Sequence, residues 1–161
     1  MIRVAVLTVS TSRSVPGSAD EGGDELVAFA HELGAEVVAR AAVSDERAEI
    51  EARLREWSDG GGCDLILTTG GTGVAPRDVT PEATLAVIER AVPGIAEAMR
   101  EASRPHTRHW MLSRAVAGIR GRTLIVNFPG SPRSIGQTAE AIAGALPHAL
   151  ALIADAPTAH A

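Results

Sequence analysis

The chain has 161 residues, 45% of them hydrophobic, and a formal net charge of -5 at neutral pH. We expect residues 1–161 to form one domain, because this length supports a single substantial core. A negative chain lacks the clustered positive charge of nucleic-acid surfaces, and no apolar run reaches the roughly 20 residues of a bilayer span. We therefore expect a cytoplasmic protein with small-molecule partners, and neither nucleic acid nor a membrane among them.

The residue types that are scarce or missing exclude several classes of enzyme. All 15 basic residues are arginine, so chemistry that needs a lysine amine is excluded, and so is a Walker A loop. Cys63 is the single cysteine, which rules out an internal disulfide and a cysteine-based zinc site. A dinucleotide-binding fingerprint that starts at Gly71 fails because its third glycine position holds Pro76. Neither G-x-S-x-G nor H-E-x-x-H occurs.

The first half of the chain alternates predicted strands with predicted helices. Residues 2–9 form an almost continuous β-branched and apolar run, which is typical of a strand covered on both faces. After a polar loop over residues 10–23, apolar spacing predicts a helix over residues 25–33. Further segments are then predicted as a strand over 37–43, a helix over 45–57 and a strand over 65–69.

The second half continues the same alternation. A helix is predicted to begin at Pro81, with Thr80 as its N-cap, followed by a second helical piece over residues 95–103. Residues 123–128 are predicted as a final buried strand, 129–132 as a turn and 135–153 as one long helix. The alternation predicts an α/β fold, a three-layer αβα sandwich around a mostly parallel sheet.

Three loops that follow predicted strands are rich in small residues. They are Ser10-Thr11-Ser12, the segment over residues 68–73 and the turn over residues 129–132. Ligands of open α/β sheets bind beyond the carboxyl ends of the strands, where glycines let free backbone amides surround a phosphate. One glycine pair alone would indicate only a tight turn. Three such loops at one edge of the sheet predict a phosphate-binding site.

Two aspartates follow strands at the same predicted edge. Asp45 comes directly after the second strand, and Asp78 lies between the glycine-rich loop and the next helix. Hard cations such as Mg²⁺ bind carboxylates close to phosphates, so both side chains are candidate metal ligands. Each has a structural alternative, because Asp45 or Ser44 would also serve as a helix cap and Asp78 as a turn residue.

Long sequence motifs are similar to those of the molybdopterin-binding domain of the MogA/MoaB family. They are Thr-Thr-Gly-Gly-Thr-Gly-Val-Ala-Pro-Arg-Asp-Val-Thr-Pro-Glu-Ala-Thr over residues 68–84 and the block over residues 112–133, together with residues 6–10 and 20–23. The resemblance implies a homotrimeric enzyme that binds molybdopterin and Mg-ATP, transfers AMP to the terminal phosphate of the pterin and releases pyrophosphate. It also implies a possible partner protein that inserts molybdenum.

Residue roles follow from the positions that match this family. The two acidic residues implicated in catalysis and in binding Mg²⁺ match Asp45 and Asp78. The nucleotide and pterin phosphate contacts match Ser10, Thr69, Gly70, Gly71, Thr72, Gly73, Pro129, Gly130, Ser131, Pro132 and Arg133. The chain departs from the family pattern at Thr11 or Ser12, where an acidic residue is expected, at Arg133, where lysine is usual, and at Phe128, where leucine is commoner.

Two other functions are compatible with the same family resemblance. The first is a module that binds molybdopterin without turning over ATP, for which loss of an acidic residue would be the sequence signature. Both aspartates are present, which favours an enzyme. The second is a pyrophosphatase acting on a substrate like a nucleotide sugar, for which a longer chain with a further domain is expected.

Overall fold

The structure is a computed structural model that describes residues 1–155, so the last six residues of the predicted domain, 156–161, lie outside the described residues. Residues 1–155 form six strands and six α-helices, which alternate as far as α4 and end with two strands followed by two helices. The strands are β1 (Arg3–Val9), β2 (Glu36–Val43), β3 (Leu65–Thr69), β4 (Arg90–Ala91), β5 (Ala117–Arg120) and β6 (Thr123–Phe128). The helices are α1 (Glu21–Glu32), α2 (Arg47–Asp59), α3 (Thr80–Val87), α4 (Pro93–Ser103), α5 (Pro132–Ala143) and α6 (Leu146–Ile153).

The six strands form one sheet in the order β2-β1-β3-β6-β5-β4. The four strands β2, β1, β3 and β6 pair in parallel, whereas β5 and β4 add an antiparallel edge. The prediction of a mostly parallel sheet is therefore confirmed. Because the parallel strands run the same way, the loops that follow β1, β2, β3 and β6 all leave from one edge of the sheet.

Helices cover both faces of the sheet, as the prediction of three layers requires. On β1, Val4 and Val6 face one core, together with side chains of α1, α4, α5 and α6. Ala5, Leu7 and Val9 face the second core, which α2 and α3 cover. Successive residues of a strand point to opposite faces, so a strand buried on both sides must be apolar almost throughout. Within residues 1–155, no helix has the length and apolar character that crossing a membrane demands.

Helix α1 begins four residues earlier than predicted. The sequence interpretation placed residues 20–23 in a loop, but the carboxylate of Asp20 accepts a hydrogen bond from the amide of Gly23 and so caps a helix that starts at Glu21. Gly22 and Gly23 belong to the first turn of this helix. The prediction was wrong because residues 10–23 were interpreted as one polar loop and Asp20 was not weighed as a helix cap.

The antiparallel edge was missed by the sequence interpretation. Strands β5 and β6 are joined by the two-residue turn Gly121-Arg122, in which Gly121 has φ +56°. A glycine between two short runs is a hairpin signal that was not used. Gly118 allows β5 and the edge strand β4 to approach closely, because a Cβ atom at this position would lie 2.8 Å from the carbonyl oxygen of Arg90.

The long helix predicted over residues 135–153 is two helices. Helix α5 ends at Ala143 and α6 begins at Leu146. Pro147 lacks an amide hydrogen, and its ring would collide with the carbonyl of Ala143 in a continuous helix, so it fits only in the first turn of a new one. The alanine-rich helical pattern continues through this break, so the sequence interpretation predicted a single helix.

The prediction that Thr80 caps α3 was also wrong. Thr80 is the first residue of that helix, it is fully buried, and its hydroxyl donates to the carbonyl of Gly70 at 2.9 Å. Helix α2 likewise begins at Arg47, two residues later than predicted, which leaves Asp45 in the loop between β2 and α2. Thr80 therefore contacts the glycine-rich loop from the first turn of α3, whereas Asp45 lies in a loop at the carboxyl edge of the sheet.

Candidate active site

A cleft of about 200 Å³ lies at the carboxyl edge of the parallel strands. Loops after β1, β2, β3 and β6 all contribute to it, together with the start of α1. Its lining residues are Thr8, Val9, Ser10, Arg13, Asp20, Gly22, Asp45, Thr69, Gly70, Gly71, Arg77, Asp78 and Gly130. The structure thus brings together the two predicted aspartates with Ser10, Thr69, Gly70, Gly71 and Gly130 from the predicted set.

The glycine-rich loop after β3 needs glycine at two positions for steric reasons. Gly70 has φ +97°, and a Cβ atom there would lie 2.3 Å from the carbonyl oxygen of Val9. Gly71 has φ +69°, and its Cβ atom would lie 2.3 Å from Oγ1 of Thr80. Side chains rarely adopt positive φ, and neither approach leaves room for one. The backbone of the loop is therefore held tightly between β1 and α3.

The same loop presents unused backbone donors. Within residues 1–155, no protein group accepts a hydrogen bond from the amides of Gly71, Thr72 and Gly73. Thr72 is itself buried, and neither it nor Gly73 lines the cleft with its own surface. Consecutive free amides form a concave donor site that suits the oxygens of an anion such as phosphate.

Asp78 closes a tight turn next to this loop. Its backbone amide donates to the carbonyl of Ala75, and its Oδ2 accepts from the amide of Ala75 at 3.0 Å. The carboxylate lies over Gly73, since a Cβ atom on that glycine would come within 2.9 Å of Oδ2. The turn role weighed from the sequence is therefore present. No described residue donates a hydrogen bond to Oδ1, which leaves that oxygen available at the cleft.

Asp45 reaches the cleft from the loop after β2. Its Oδ2 accepts hydrogen bonds from the amide and the hydroxyl of Thr11, at 3.1 Å and 2.9 Å. Asp45 does not cap α2, whose N-cap is Glu46. Thr11 is one of the two positions where the family pattern expects an acid, and here its hydroxyl donates to Asp45. This hydrogen bond ties the loops after β1 and β2 together.

Asp20 lines the cleft and was absent from the predicted site residues. Its Oδ2 accepts from the hydroxyl of Thr8 at 2.7 Å and lies 3.2 Å from Nη2 of Arg40. Burial acts to raise the pKa of Asp20, but the hydrogen bonds from Thr8, Gly23 and Arg40 outweigh it and hold the pKa below its usual value. An aspartate before a helical apolar pattern is the sequence signal that would have found it.

The turn after β6 contacts the glycine-rich loop. The hydroxyl of Thr69 donates to the carbonyl of Pro129 at 2.7 Å, and the amide of Gly70 donates to the carbonyl of Phe128. Gly130 lines the cleft, whereas Pro129, Ser131, Pro132 and Arg133 do not. Ser131 occupies the N-cap position of α5 but makes no capping hydrogen bond with its side chain. The structure therefore brings only part of the predicted turn to the cleft.

A larger cavity lies elsewhere, at the opposite edge of the sheet. It measures about 770 Å³ and lies where β1, β3 and β6 begin, with Arg3, Asp64 and Thr123 in its lining. Cys63 also lines it, and burial, with a smaller effect of the Asp64 carboxylate, raises the pKa of this thiol to about 11. A protonated, buried thiol is a poor nucleophile. We place the chemistry at the smaller cleft because its loops carry the free amides and the two aspartates.

Comparison with known proteins identifies the same family as the sequence motifs. Residues 5–148 match the model of a family described as a probable molybdopterin binding domain. The chain is 40% identical over 144 residues to the molybdopterin adenylyltransferase of Haemophilus influenzae, a match that covers 88% of this chain and 73% of that protein. It is 51% identical over 100 residues to the Escherichia coli protein of the same name, and this match spans 62% of the chain but only 51% of that protein.

Solved structures share the fold over almost the full length. The molybdopterin biosynthesis enzyme MoaB of Thermus thermophilus aligns with a TM-score of 0.90 and 46% identity, covering 98% of this chain and 99% of that one. The molybdopterin biosynthesis Mog protein of Mycobacterium ulcerans aligns with a TM-score of 0.89 and 34% identity, covering 95% of this chain and 99% of that one. The α/β architecture is therefore shared with both.

The close approach at Gly71 predicts a specific loss of stability. Gly71→Ala should lower the free energy of unfolding by about 2–4 kcal/mol, because the methyl group meets both an unfavourable φ and the Thr80 hydroxyl. Gly121→Ala is the matched control, since it has φ +56° but no neighbour within 4 Å, and it should cost about 1 kcal/mol. Urea unfolding of both variants measures the difference, and equal losses would contradict the close packing.

The lowered pKa of Asp20 predicts a pH-dependent contribution to stability. A carboxylate whose pKa is lower in the folded state stabilises the fold above its unfolded pKa, near 3.9, and loses that effect as the pH falls through its folded pKa. Asp20→Asn should therefore cost about 1 kcal/mol at pH 7 and progressively less below about pH 4. Asp24→Asn is the control, because it removes an exposed carboxylate from the same arginine. Urea unfolding at several pH values measures the loss in free energy of unfolding. A loss for Asp20→Asn that stays the same at every pH would refute this role.

Proposed function

The chain belongs to the molybdopterin-binding domain family, and on that premise we propose that it is a molybdopterin adenylyltransferase of molybdenum cofactor biosynthesis. One observation carries the proposal. The free amides of the glycine-rich loop lie beside a cleft into which Asp45 and Asp78 both reach. An anion cradle next to two carboxylates suits a reaction in which two phosphate groups meet with a cation between them.

The reaction joins two phosphates without oxidation or reduction. An oxygen of the terminal phosphate of molybdopterin attacks the α-phosphorus of ATP, and the bond from that phosphorus to the bridging oxygen of the β-phosphate breaks. AMP is then linked to the pterin phosphate, and pyrophosphate leaves with the bonding electron pair. The attacking oxygen is already anionic at neutral pH, so no side chain has to act as a general base.

The residues of the cleft have to align two anions that repel each other. The backbone amides of Gly71 and Gly130, which line the cleft, and those of Thr72 and Gly73 beside it would donate to phosphate oxygens without adding a mobile side chain. Arg13 and Arg77, which also line the cleft, supply positive charge close to the phosphates. Holding both groups in line accounts for much of the rate that such an enzyme achieves.

The donor set fits magnesium bound mainly through the substrate. Within residues 1–155, no cluster of three or more His, Cys, Asp or Glu side chains forms a metal cage. Mg²⁺ usually binds proteins through one or two carboxylates and takes its other ligands from phosphates and water. Asp45 and Asp78 would hold it through their Oδ1 atoms, neither of which accepts a hydrogen bond from a described residue. Bound there, the ion would neutralise charge that develops on the triphosphate.

A binding module without turnover is the second candidate function. The two structural relatives are named a molybdopterin biosynthesis enzyme and a molybdopterin biosynthesis protein, and neither name specifies a reaction. A module of this kind would need the free backbone amides to bind a phosphate. It would not need two neighbouring carboxylates, each with an oxygen that accepts no hydrogen bond. Both carboxylates are present here, and they favour the enzyme.

The remaining expectations about the assembly belong to the same proposal. We propose that the enzyme is a homotrimer in the cytoplasm and that it passes its adenylylated product to a protein that inserts molybdenum. The adenylylated pterin is an activated phosphate anhydride, so it requires a following reaction that cleaves the anhydride bond. The proposed small-molecule partners are ATP and molybdopterin.

The function is tested by release of pyrophosphate in the presence of Mg-ATP and molybdopterin. We expect release only when both substrates are present, and Asp78→Asn should slow it at least about a hundredfold while molybdopterin still binds, since such charge stabilisation contributes several kcal/mol. Asp59→Asn removes an exposed carboxylate that does not line the cleft, and this variant should turn over within about twofold of the unchanged protein. Molybdopterin binding without any release of pyrophosphate would instead establish the binding module.

The oligomeric state is a separate prediction. Light scattering coupled to size-exclusion chromatography at micromolar concentration should give a mass about three times that of the 16.6 kDa chain. A mass equal to one chain would refute the homotrimer without affecting the proposed reaction.

A further inference from the structure

Arg114 makes an unusual set of contacts with the loop that carries Asp78. Its Nε donates to the carbonyl of Gly73 at 2.7 Å, and its Nη2 donates to the carbonyl of Asp78 at 2.6 Å. Its own backbone amide donates to the carbonyl of Thr72 at 2.8 Å. One residue therefore holds the chain immediately before the Ala75–Asp78 turn and again at its end, across 36 to 41 positions in sequence.

Glu82 fixes the third nitrogen of the same guanidinium. Nη1 of Arg114 lies 2.6 Å from Oε1 and 3.1 Å from Oε2 of Glu82, in the first turn of α3. The planar guanidinium thus donates in three directions at once, two toward the loop and one toward the helix that follows it. A guanidinium in this arrangement has little freedom left to rotate, because each nitrogen is directed to a separate acceptor.

Arg114 is itself positioned by the core of the protein. The buried amide of Asn127 accepts from the backbone amide of Val116 through Oδ1 and donates through Nδ2 to the hydroxyls of Thr68 and Thr84. Nη1 of Arg100 donates to the carbonyl of Ala115 at 2.9 Å. The segment that carries Arg114 is therefore attached to β6, β3, α3 and α4, and it forms a rigid support for the loop.

We propose that Arg114 is a positioning residue that sets the Asp78 carboxylate relative to the amides of residues 71–73, by fixing both ends of the turn between them. The inference rests on the proposed adenylyl transfer and on the place of Asp78 in it. Arg114 is not among the residues that line the cleft, so it acts through the loop and not on the substrate.

The shape of the arginine side chain, and not only its charge, is what this role requires. A lysine at position 114 would keep a positive charge near the loop but has a single nitrogen, which cannot reach the carbonyls of Gly73 and Asp78 and the Glu82 carboxylate together. If the positive charge alone assisted the phosphates, lysine would replace arginine. If the spacing of the two carbonyls matters, lysine would behave like a neutral side chain.

A second arginine in the chain supplies a matched control. Arg120 makes a comparable set of bonds, with Nε and Nη2 on the carboxylate of Asp59 and Nη1 on the carbonyl of Val87. None of these partners lines the cleft. Arg120→Met therefore removes three side-chain hydrogen bonds, against four for Arg114→Met, without touching the loop after β3.

The first measurement follows the loop directly by amide hydrogen exchange. In Arg114→Met, the amides of Ala75 and Asp78, which close the turn on each other, should exchange at least about tenfold faster than in the unchanged protein. Arg114→Lys should resemble Arg114→Met, and Arg120→Met should leave these amides unchanged. This readout does not depend on catalysis, so it tests the positioning of the loop even if the proposed reaction fails.

The second measurement is a double-mutant cycle on the rate of pyrophosphate release at saturating substrates. Introduced alone, Arg114→Met should lower kcat about tenfold or more. Introduced into the Asp78→Asn variant, it should lower kcat less than about twofold, because the carboxylate that Arg114 positions is already absent. Thermal unfolding of each variant identifies any that do not fold, and Arg114→Lys replaces Arg114→Met if only the methionine variant is unfolded.

The outcomes separate failure of this inference from failure of the proposed function. Three outcomes would each overturn the role of Arg114. The first is that the two substitutions affect kcat independently, and the second is that Arg114→Lys has the kcat and the amide exchange rates of the unchanged protein. The third is that Arg114→Met leaves the exchange rates unaltered. Absence of pyrophosphate release from the unchanged protein would overturn the proposed function. If Asp78→Asn released pyrophosphate at the full rate, the proposed role of Asp78 would be wrong. The proposed effect of Arg114 on catalysis would then be wrong as well.

Discussion

The contact of the glycine-rich loop with β1 and α3 is the constraint on which the rest of the site depends. Gly70 lies against the carbonyl of Val9, and Gly71 lies against the hydroxyl of Thr80, each at a distance that excludes a Cβ atom. In the loop that this packing holds, the amides of Gly71, Thr72 and Gly73 have no hydrogen-bond acceptor among residues 1–155. A loop with side chains at these two positions would have to move off the sheet edge, and the cradle for an anion would be lost.

The cleft draws on several strands because a parallel sheet directs their loops to one edge. Asp45 follows β2, Asp78 belongs to the segment after β3, and Gly130 follows β6. Hydrogen bonds between these loops, such as those from Thr11 to Asp45 and from Thr69 to Pro129, hold them in register. The loop backbones are held by these hydrogen bonds. The carboxylates of Asp45 and Asp78 are therefore the groups best able to adjust to a bound cation.

The sequence predicts the part of the site that depends on local pattern. Apolar runs mark the ends of β1, β3 and β6, and the polar residues after them include most of the cleft. Asp20 was missed because residues 10–23 were interpreted as one polar loop, although Gly22 and Gly23 lie in the first turn of a helix. The break before Pro147 was missed because the alanine-rich periodicity continues through it. The role of Arg114 was not predicted, since the acceptors of its side chain lie 32 to 41 positions away and only the fold brings them together.

The most direct test of the account is a crystal structure with magnesium and α,β-methylene-ATP, in which the bond that breaks in the proposed reaction is replaced by a stable one. The account predicts the triphosphate in the cleft, with phosphate oxygens on the amides of residues 71–73 and the cation between the nucleotide and the carboxylates of Asp45 and Asp78. A nucleotide bound instead in the larger cavity at the opposite edge, beside Arg3 and Asp64, would contradict it.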